Sequence, residues 1–533
     1  MTSMEAAAER NRPSGGLLRC VPRLGLGAPV KWAAKARTAA LARQDPLAVQ
    51  QQQLLKLVRH AADTRFGRDH DFAGIRSIAD FQARVPVRDH AGLWNDYWKE
   101  AFPRLENVSW PGVIPYFASS SGTTTGKVRY VPVSREMVKA NKGAALDVMA
   151  HHLANRPHSR IMEGKTFLLG GSTALKEEAP GVFSGDMSGI ASKERPWFAK
   201  PFYFPPLELS LMSDWEEKIS RLAALSRHED IRGLTGGPAW LLVLFEKLAR
   251  LTPGNPQNVS QLYPNLELIV HGGMGLLPYK HRFDAWMAGS KADLREVFAA
   301  SEGFVAAADR DYGMGMRLVV DHGLFFEFVP VEEIGSSNPT RHWLGTVETG
   351  VDYVLVLSNC AGFWAYDIGD IVRFVDLNPP RLLIVGRTAH TLSTFGEHIW
   401  AEQLEAVVTA AAESVGFPLK EFAVTAQVSR DGGALGHHLY FIEPLTPQPP
   451  ERLAALLDAI DRGFTEANED YMERRTVDGA LQRPVLRTVP PGTFDAWMKS
   501  RGKFGGQHKV PRVFNDPSMQ EGLLRIAGQI EPA

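Results

Sequence analysis

YVLVLSNCAGFWAYDIGDIVRFVDLNPPRLLIVGR, residues 353–387, contains three short apolar runs rich in β-branched residues. The runs span 353–359, 370–377 and 381–387, and Asn, Gly or Pro residues bound each of them, as is typical of β-strands. Similar runs lie at 266–273 and 324–331. This stretch therefore predicts several strands close together in the chain.

Helical patterns surround these strands. Apolar residues recur at helical spacing in six segments: 46–65, 134–154, 215–226, 238–250, 281–289 and 400–413. Strands mixed with helices predict an α/β fold with mixed sheets. After Arg387 a strand, a long helix and another strand follow, which predicts a small α+β domain. We expect a disordered tail at 1–30, a large domain at 31–388 and a small domain at 389–533.

The bulk composition excludes several classes of protein. The chain has 533 residues, and its 59 basic and 60 acidic side chains nearly cancel, so no basic surplus points to nucleic acid. No apolar run reaches the roughly 18 residues that a membrane span needs. The two cysteines, Cys20 and Cys360, fit a reducing cytosol. We therefore expect a cytoplasmic protein without a membrane, nucleic-acid or obligate protein partner.

Residues 119–125, SSSGTTT, place six hydroxyl side chains around one glycine. This loop is not a Walker phosphate loop, because three residues separate Gly122 from Gly126 where four are needed, and Val128 follows Lys127. Glycines still allow close backbone approach, and hydroxyl and N–H groups can donate to phosphate oxygens. The loop is either a phosphate cradle or a solvent-exposed turn.

Two further motifs carry carboxylates. In FAASEGF, residues 298–304, Glu302 beside Ser301 is a candidate Mg²⁺ ligand, since Mg²⁺ binds carboxylates together with phosphates. In FWAYDIGDIVRF, residues 363–374, Asp370 is placed to bind ribose hydroxyls. The plainer alternatives are an exposed turn for the first motif and a β-turn for the second.

Two basic motifs follow. Arg387 in VGRTAH could bind ribose or phosphate through its planar fork of donors, or it could lie at the surface. Lys509 in GGQHKVPR, residues 505–512, lies behind two glycines, and a mobile lysine can bring positive charge to a transition state. Its alternative, shared with Arg512, is a solvated basic tail.

In this order the motifs resemble the adenylate-forming superfamily of acyl-CoA synthetases, luciferases and adenylation domains. They look most like the auxin-responsive promoter family of acyl-acid amido synthetases, in a bacterial-type member. The resemblance runs from about residue 30 to about 520. It is carried by SSGTTTGKVRYVP, AASEGF, YDIGD, GRTAHTLSTFGE and GGQHKVPR.

The resemblance implies a large N-terminal domain, a small mobile C-terminal domain, and an active site between them that uses ATP and Mg²⁺. It implies a catalytic role for Lys509 and a metal-ligand role for Glu302. It places these residues at the nucleotide: Ser120, Ser121, Gly122, Thr123, Thr124, Gly126, Ala300, Ser301, Glu302, Asp370, Arg387 and His398. The sequence departs from the family at Arg129 and His398, where many relatives carry Lys, and a neutral His398 would lack the permanent charge.

The implied reaction joins a carboxylic acid to AMP and then transfers the acyl group to an amine, usually an amino acid. One alternative is an acyl-CoA ligase with a thiol acceptor, and another is a non-catalytic nucleotide-binding protein. By position, Trp240, Met274 and Phe363 are candidates for the acyl pocket. The pairs His151–His152 and His437–His438 lack the spacing of a zinc site and are expected at the surface. The glutamine run QQQQ at 50–53 is expected on the solvated side of its helix.

Overall fold

The computed structural model describes thirteen stretches of two or more residues and three single residues between them. Described are 27–121, 128–171, 173–212, 215–273, 276, 280–334, 336, 338–388, 391–392, 397, 399–428, 436–472, 475–476, 481–502, 510–514 and 517–529. The first helix begins at Gly27, inside the segment 1–30 that was expected to be a tail.

The described residues form α-helices and strands that are numbered here in chain order. The helices are α1 Gly27–Ala42, α2 Pro46–His60, α3 Arg65–Asp69, α4 Ile78–Arg84, α5 His90–Leu93, α6 Arg135–Asn155, α7 Met187–Lys193, α8 Leu207–Ser210, α9 Trp215–Ser226, α10 Pro238–Leu251, α11 Val259–Leu262, α12 Lys280–Met287, α13 Ala401–Ser414, α14 Pro450–Ala467, α15 Glu469–Met472, α16 Thr493–Ser500 and α17 Pro517–Ile526. The strands are β1 Tyr116–Ser121, β2 Val128–Val133, β3 Lys165–Leu168, β4 Lys176–Ala179, β5 Val182–Gly185, β6 Tyr203–Phe204, β7 Ile231–Gly236, β8 Leu268–Gly272, β9 Asp293–Ala300, β10 Gly303–Ala307, β11 Met316–Leu318, β12 Leu324–Pro330, β13 Asp352–Asn359, β14 Tyr366–Leu377, β15 Pro380–Arg387, β16 Thr391–Leu392, β17 Ile399–Trp400, β18 Leu419–Val428, β19 Gly436–Pro444 and β20 Val485–Thr488.

The main sheet has eleven strands in the order β12-β13-β14-β15-β11-β10-β9-β8-β7-β3-β6. From β9 to β6 neighbouring strands pair in parallel, and from β12 to β9 they pair antiparallel. Parallel neighbours need long crossovers, and the helices α9, α10 and α12 lie in them, whereas hairpins suffice for antiparallel neighbours. The α/β fold with mixed sheets is therefore confirmed.

Helices cover both faces of the parallel half. Ile269 on β8 packs with Leu234 and Leu241 in a cluster that α9, α10 and α12 supply. The neighbouring residue, Leu268, packs instead with Ala34 of α1 and with α6. Successive side chains of a strand point to opposite faces, so one continuous apolar run can serve two helical layers.

A separate three-stranded sheet, β18-β19-β20, forms the core of the small C-terminal unit. Phe422 and Tyr440 pack with helices α13 and α14 on one face. Ala423 and Phe441 pack with α16 and α17 on the other. The alternation along β18 and β19 thus gives this sheet a buried core on each side, which matches the α+β character expected for the region.

Several polar residues expected at the surface are buried. Gln50 is fully buried, and its amide donates to the Val320 and Leu324 carbonyl oxygens and accepts from the Phe326 N–H. The expectation that the glutamine run is solvated is thus wrong at this position. The amide satisfies three backbone groups between α2 and β12, which offsets the cost of its burial.

One residue of each histidine pair is buried too, so the surface expectation is wrong for both pairs. His152 is 2% exposed and its Nδ1 lies 3.1 Å from Asp293 Oδ2. His438 is fully buried, with Nε2 at 2.8 Å from Glu397 Oε1. Such pairings with distant carboxylates cannot be read from local spacing.

None of the described helices is both long enough and apolar enough to cross a membrane.

Candidate active site

The Ser/Thr/Gly loop connects the two strands of a β-hairpin. Strands β1 and β2 pair antiparallel from Tyr116–Val133 to Ser121–Val128, with Ser120 opposite Arg129. The strands flank the loop as the sequence predicted. The loop residues predicted to bind phosphate, Gly122, Thr123, Thr124 and Gly126, lie outside the described residues.

Ser301 and Glu302 occupy the tip of a hairpin between β9 and β10. Ala300 pairs with Gly303, so only these two residues form the turn. Gly303 has φ +153°, and a Cβ there would lie 2.6 Å from Leu324 Cδ2, so the position favours glycine. The turn therefore fixes Ser301 and Glu302 where the sheet changes from parallel to antiparallel pairing.

Glu302 lies among groups from two other strands. The Tyr366 hydroxyl of β14 donates to Glu302 Oε1 at 3.4 Å, and Asn359 Nδ2 of β13 donates to the Glu302 carbonyl at 2.7 Å. Burial raises the pKa of the Glu302 carboxyl, and the charge of Asp370 raises it further. A cation beside Glu302 would offset both effects.

Asp370 and Arg387 form an ion pair on neighbouring strands. They face each other in the β14–β15 register, with Arg387 Nε at 3.0 Å from Asp370 Oδ1. Arg387 Nη2 also donates to the Ile368 carbonyl at 3.2 Å. Asp370 is 8% exposed. The two residues predicted to bind ribose are thus together in space.

Two residues at this site were not predicted. Tyr366, within the YDIGD motif, joins Glu302 to a packed aromatic pair, with its ring centroid 4.6 Å from that of Phe363. Asn359 ends β13, and its Oδ1 accepts from the Ala361 and Phe363 N–H groups. The sequence features that could have identified them are an Asn at the end of a predicted strand, for Asn359, and a Tyr before two aspartates, for Tyr366.

The three candidates for an acyl pocket have different surroundings. Trp240 lies half-buried in the first turn of α10 and packs against the apolar cluster beside β8. Phe363 is fully buried between Trp98 and Tyr366, so it reaches the site through Tyr366. Met274 lies outside the described residues. The acyl-pocket role of all three stays a prediction.

Lys509 and His398 also lie outside the described residues, but their neighbours are described. Arg512 is not a solvated tail residue, since its side chain is 11% exposed and its Nε donates to Glu405 Oε1 of α13. Glu397, next to His398, bonds to His438 of β19. Both segments are thus joined to the small C-terminal sheet.

Three models of one family match the chain. They are the GH3 family N-terminal domain over residues 37–235, the central domain over 317–387 and the C-terminal domain over 402–518.

Curated relatives are similar over part or most of the chain. "Probable indole-3-acetic acid-amido synthetase GH3.9" of Oryza sativa subsp. japonica is 27% identical over 52% of this chain and 66% of its own length. "Indole-3-acetic acid-amido synthetase GH3.8" of Oryza sativa subsp. indica is 30% identical over 50% of this chain and 46% of its own length. The chain thus spans somewhat under two thirds and about half of these two relatives. "Jasmonoyl--L-amino acid synthetase JAR4" of Nicotiana attenuata is 22% identical over 87% of this chain and 90% of its own length.

Solved structures share the fold. "GH3.15 acyl acid amido synthetase" superposes with a TM-score of 0.74 at 17% identity, over 92% of this chain and 95% of its own. A 2-hydroxyisobutyryl-CoA ligase in the postadenylation state, in complex with 2-HIB-AMP, superposes with a TM-score of 0.56 at 18% identity, over 91% and 92%. The likeness covers both the large and the small part of the chain.

Proposed function

We propose that this chain, which belongs to the GH3 family, adenylates a carboxylic acid with ATP and transfers the acyl group to an amine. The observation that carries the proposal is the meeting of Glu302, Tyr366, Asp370 and Arg387 at the ends of β9, β14 and β15. These side chains come from segments 64 and 17 residues apart, so their meeting is a property of the fold.

A carboxylate is a poor electrophile because its negative charge repels nucleophiles. Attack of a carboxylate oxygen on the α-phosphorus of ATP expels pyrophosphate and forms an acyl-adenylate, in which AMP is a good leaving group. The two anions must first be brought together. In our proposal donors of the loop that holds Ser120, Ser121, Gly122, Thr123, Thr124 and Gly126 neutralise the phosphates, with Ala300 and Ser301 at the α-phosphate.

We assign ribose binding to Asp370 and Arg387 and a further nucleotide contact to His398. The Asp370 carboxylate accepts hydrogen bonds from ribose hydroxyls, while the ion pair with Arg387 orients that carboxylate. Both residues are fixed by neighbouring strands of one sheet, which favours a preformed site.

Mg²⁺ fits the proposed site. Glu302 supplies one half-buried carboxylate, and Mg²⁺ commonly takes one or two carboxylates together with phosphate oxygens. When bound, the ion would neutralise charge on the triphosphate. Tyr366 holds Glu302 by donating to its carboxylate, which orients that ligand.

We assign the catalytic charge to Lys509 and amide formation to a second step. Lys509 stabilises negative charge as the adenylate forms. An amine then attacks the acyl carbonyl, and AMP leaves with the bonding electrons while the amine loses a proton. The name of one relative, a jasmonoyl–L-amino acid synthetase, supports an amino acid as the amine, and the amido synthetase name of another supports an amide product.

The test is ATP–pyrophosphate exchange over aryl, indole and fatty acids, followed by product mass with amino acids or CoA. We expect acid-dependent exchange and an amide product. A thioester formed with CoA, without any amide, would contradict the amine acceptor. No exchange and no ATP binding with any acid would favour a non-catalytic nucleotide-binding protein and sink the proposal.

We also propose the boundary between the two domains at residue 388 and a cytoplasmic location. The central-domain match ends at residue 387 and the C-terminal match begins at 402, which supports the boundary. Cys360 is free and buried, which supports a reducing compartment. The partners of this proposal are a small carboxylic acid and an amino acid.

A further inference from the structure

His271 on β8 is a buried histidine with no hydrogen bond. It is 1% exposed, and neither Nδ1 nor Nε2 has a partner among the described residues. Burial lowers the pKa of this imidazole to about 4, so the ring is neutral at pH 7. A neutral imidazole offers one donor and one acceptor, and leaving both unused in a protein interior is costly.

Glu296 lies directly beside His271. The two residues are register partners in the parallel β8–β9 ladder, so their side chains leave the same face of the sheet. Within the described part of the chain, Glu296 makes no side-chain hydrogen bond or ion pair. Burial alone raises the pKa of its carboxyl to about 7. The unpartnered imidazole of His271 therefore lies beside the Glu296 carboxyl, which has no hydrogen-bond partner among the described residues.

Tyr312 closes the third side of this group. Its ring centroid lies 6.2 Å from that of His271. Burial raises the pKa of the phenol to about 12, and the charge of Glu296 contributes to the rise, which places Tyr312 near that carboxylate. Three side chains able to form hydrogen bonds thus lie close together.

This group lies next to the proposed active site. His271 is followed at once by Gly272, the last residue of β8, and Glu296 precedes Ser301 by five residues on β9. At about 3.3 Å per residue the second separation is roughly 16 Å. The same face is otherwise apolar, since Ile269 and Leu294, two residues before His271 and Glu296, pack with Trp240 and Tyr312.

We propose that His271, Glu296 and Tyr312 form the distal end of the acid-binding site and bind a hydroxyl group of the acid substrate. The inference rests on the proposed adenylation. A hydroxyl both donates and accepts, so one such group can bond to the imidazole and to the carboxylate together. An acid with an apolar distal end would leave the buried imidazole of His271 without a partner.

The test compares pairs of acids that differ by one hydroxyl. Suitable pairs are 4-hydroxyphenylacetate with phenylacetate, 5-hydroxyindole-3-acetate with indole-3-acetate, and 10-hydroxydecanoate with decanoate. We expect wild type to favour the hydroxylated member of at least one pair by tenfold or more in kcat/KM for ATP–pyrophosphate exchange. A site that bonds a substrate hydroxyl discriminates strongly against the analogue that lacks it.

Substitutions then connect the preference to this group. We expect His271→Leu to remove or reverse the preference while the melting temperature stays equal or rises, because an unsatisfied polar group is lost from the interior. Tyr312→Phe should reduce the preference with less change of packing. The matched control is His158→Leu, at an exposed position, which should keep the wild-type ratio.

Three results would overturn the inference. Equal rates for all pairs in wild type would reject it and leave the adenylation proposal standing. A hydroxyl preference that survives in His271→Leu would show that another part of the chain binds the hydroxyl, as when a buried water satisfies His271. No exchange and no ATP binding with any of the acids tested, including the aryl, indole and fatty acids of the first screen, would reject the adenylation proposal and this inference together.

Discussion

At the scale of single residues, two neighbouring carboxylates dominate the proposed chemistry, and of these Asp370 is buried and Glu302 half-buried. Glu302 and Asp370 are near enough for the charge of one to raise the pKa of the other. Asp370 forms an ion pair with Arg387, whereas Glu302 accepts a hydrogen bond from the Tyr366 phenol. Because their partners differ, we assign Asp370 to accept hydrogen bonds from the ribose. Glu302 lacks a cationic side-chain partner in the part of the chain that the structure describes, so a bound cation would stabilise its charged form.

Glu302→Gln should therefore lower adenylation by roughly a hundredfold and shift its dependence on Mg²⁺ to higher concentration, since one charged ligand is lost. The measurement is the pyrophosphate-exchange rate against Mg²⁺ concentration. Glu332→Gln, at an exposed position, serves as control. An unchanged Mg²⁺ dependence in Glu302→Gln would remove the metal role from this residue.

Glu296 should affect stability in a pH-dependent way. Its folded-state pKa is about 7 against a usual value of 4.5, so the folded protein binds more protons than the unfolded chain between these values. Stability from this group is thus present at low pH and is lost as pH rises through about 7.

Glu296→Gln should accordingly stabilise the protein more at pH 8 than at pH 5. We expect a difference of roughly 2.5 kcal/mol, because about 2 of the 2.5 pKa units lie above pH 5 and each is worth about 1.36 kcal/mol. Urea unfolding of both proteins at the two pH values measures it. His271 has the opposite dependence, since its pKa is lowered, but it is present in both proteins and cancels. An equal effect at both pH values would contradict the prediction.

At the scale of elements, the segment after Lys509 is held against the small sheet. Val424 N–H of β18 donates to the Arg512 carbonyl at 2.7 Å, and Phe514 N–H donates back to Val424 at 2.7 Å. The Arg512 side chain reaches Glu405 of α13 and donates to the Phe422 carbonyl at 2.9 Å. This segment therefore extends the sheet edge three residues after the proposed catalytic lysine.

Arg512→Ala should slow adenylation by tenfold or more, because small displacements of a catalytic group are costly. The same change in a Lys509→Ala protein should have no further effect on the rate. Exchange kinetics of the two single variants and the double variant test this, with unfolding curves to correct for lost stability. Arg452→Ala, at an exposed small-domain arginine, is the control. Equal losses in both backgrounds would assign Arg512 a structural role only, and full activity of Lys509→Ala would remove the role of that lysine.

At the scale of the whole molecule, the sequence predicted the elements better than their arrangement. Helix α9 matches its predicted bounds, and α6 begins one residue after its predicted start at Ser134, whose hydroxyl accepts from the Met137 N–H. These features depend on neighbouring residues. The strand order of the main sheet depends on contacts between distant segments, and no local pattern predicts it.

The candidate site shows the same division. Glu302, Asp370 and Arg387 were predicted from their motifs. That Arg387 pairs with Asp370, and that Tyr366 bonds to Glu302, follows from the pairing of β14 with β15 and from the path of β9. Gln50 and His438 were placed wrongly because their partners are distant backbone and carboxylate groups.

The two strands β8 and β9 have a consequence for how the family can diversify. The end of β9 leads to Ser301 and Glu302, while His271 and Glu296 lie one and four positions before the ends of β8 and β9. Evolution can therefore exchange the inner side chains by single substitutions and leave the hairpin at Ser301 and Glu302 intact. In this chain, the inner positions favour a polar acid over an apolar one.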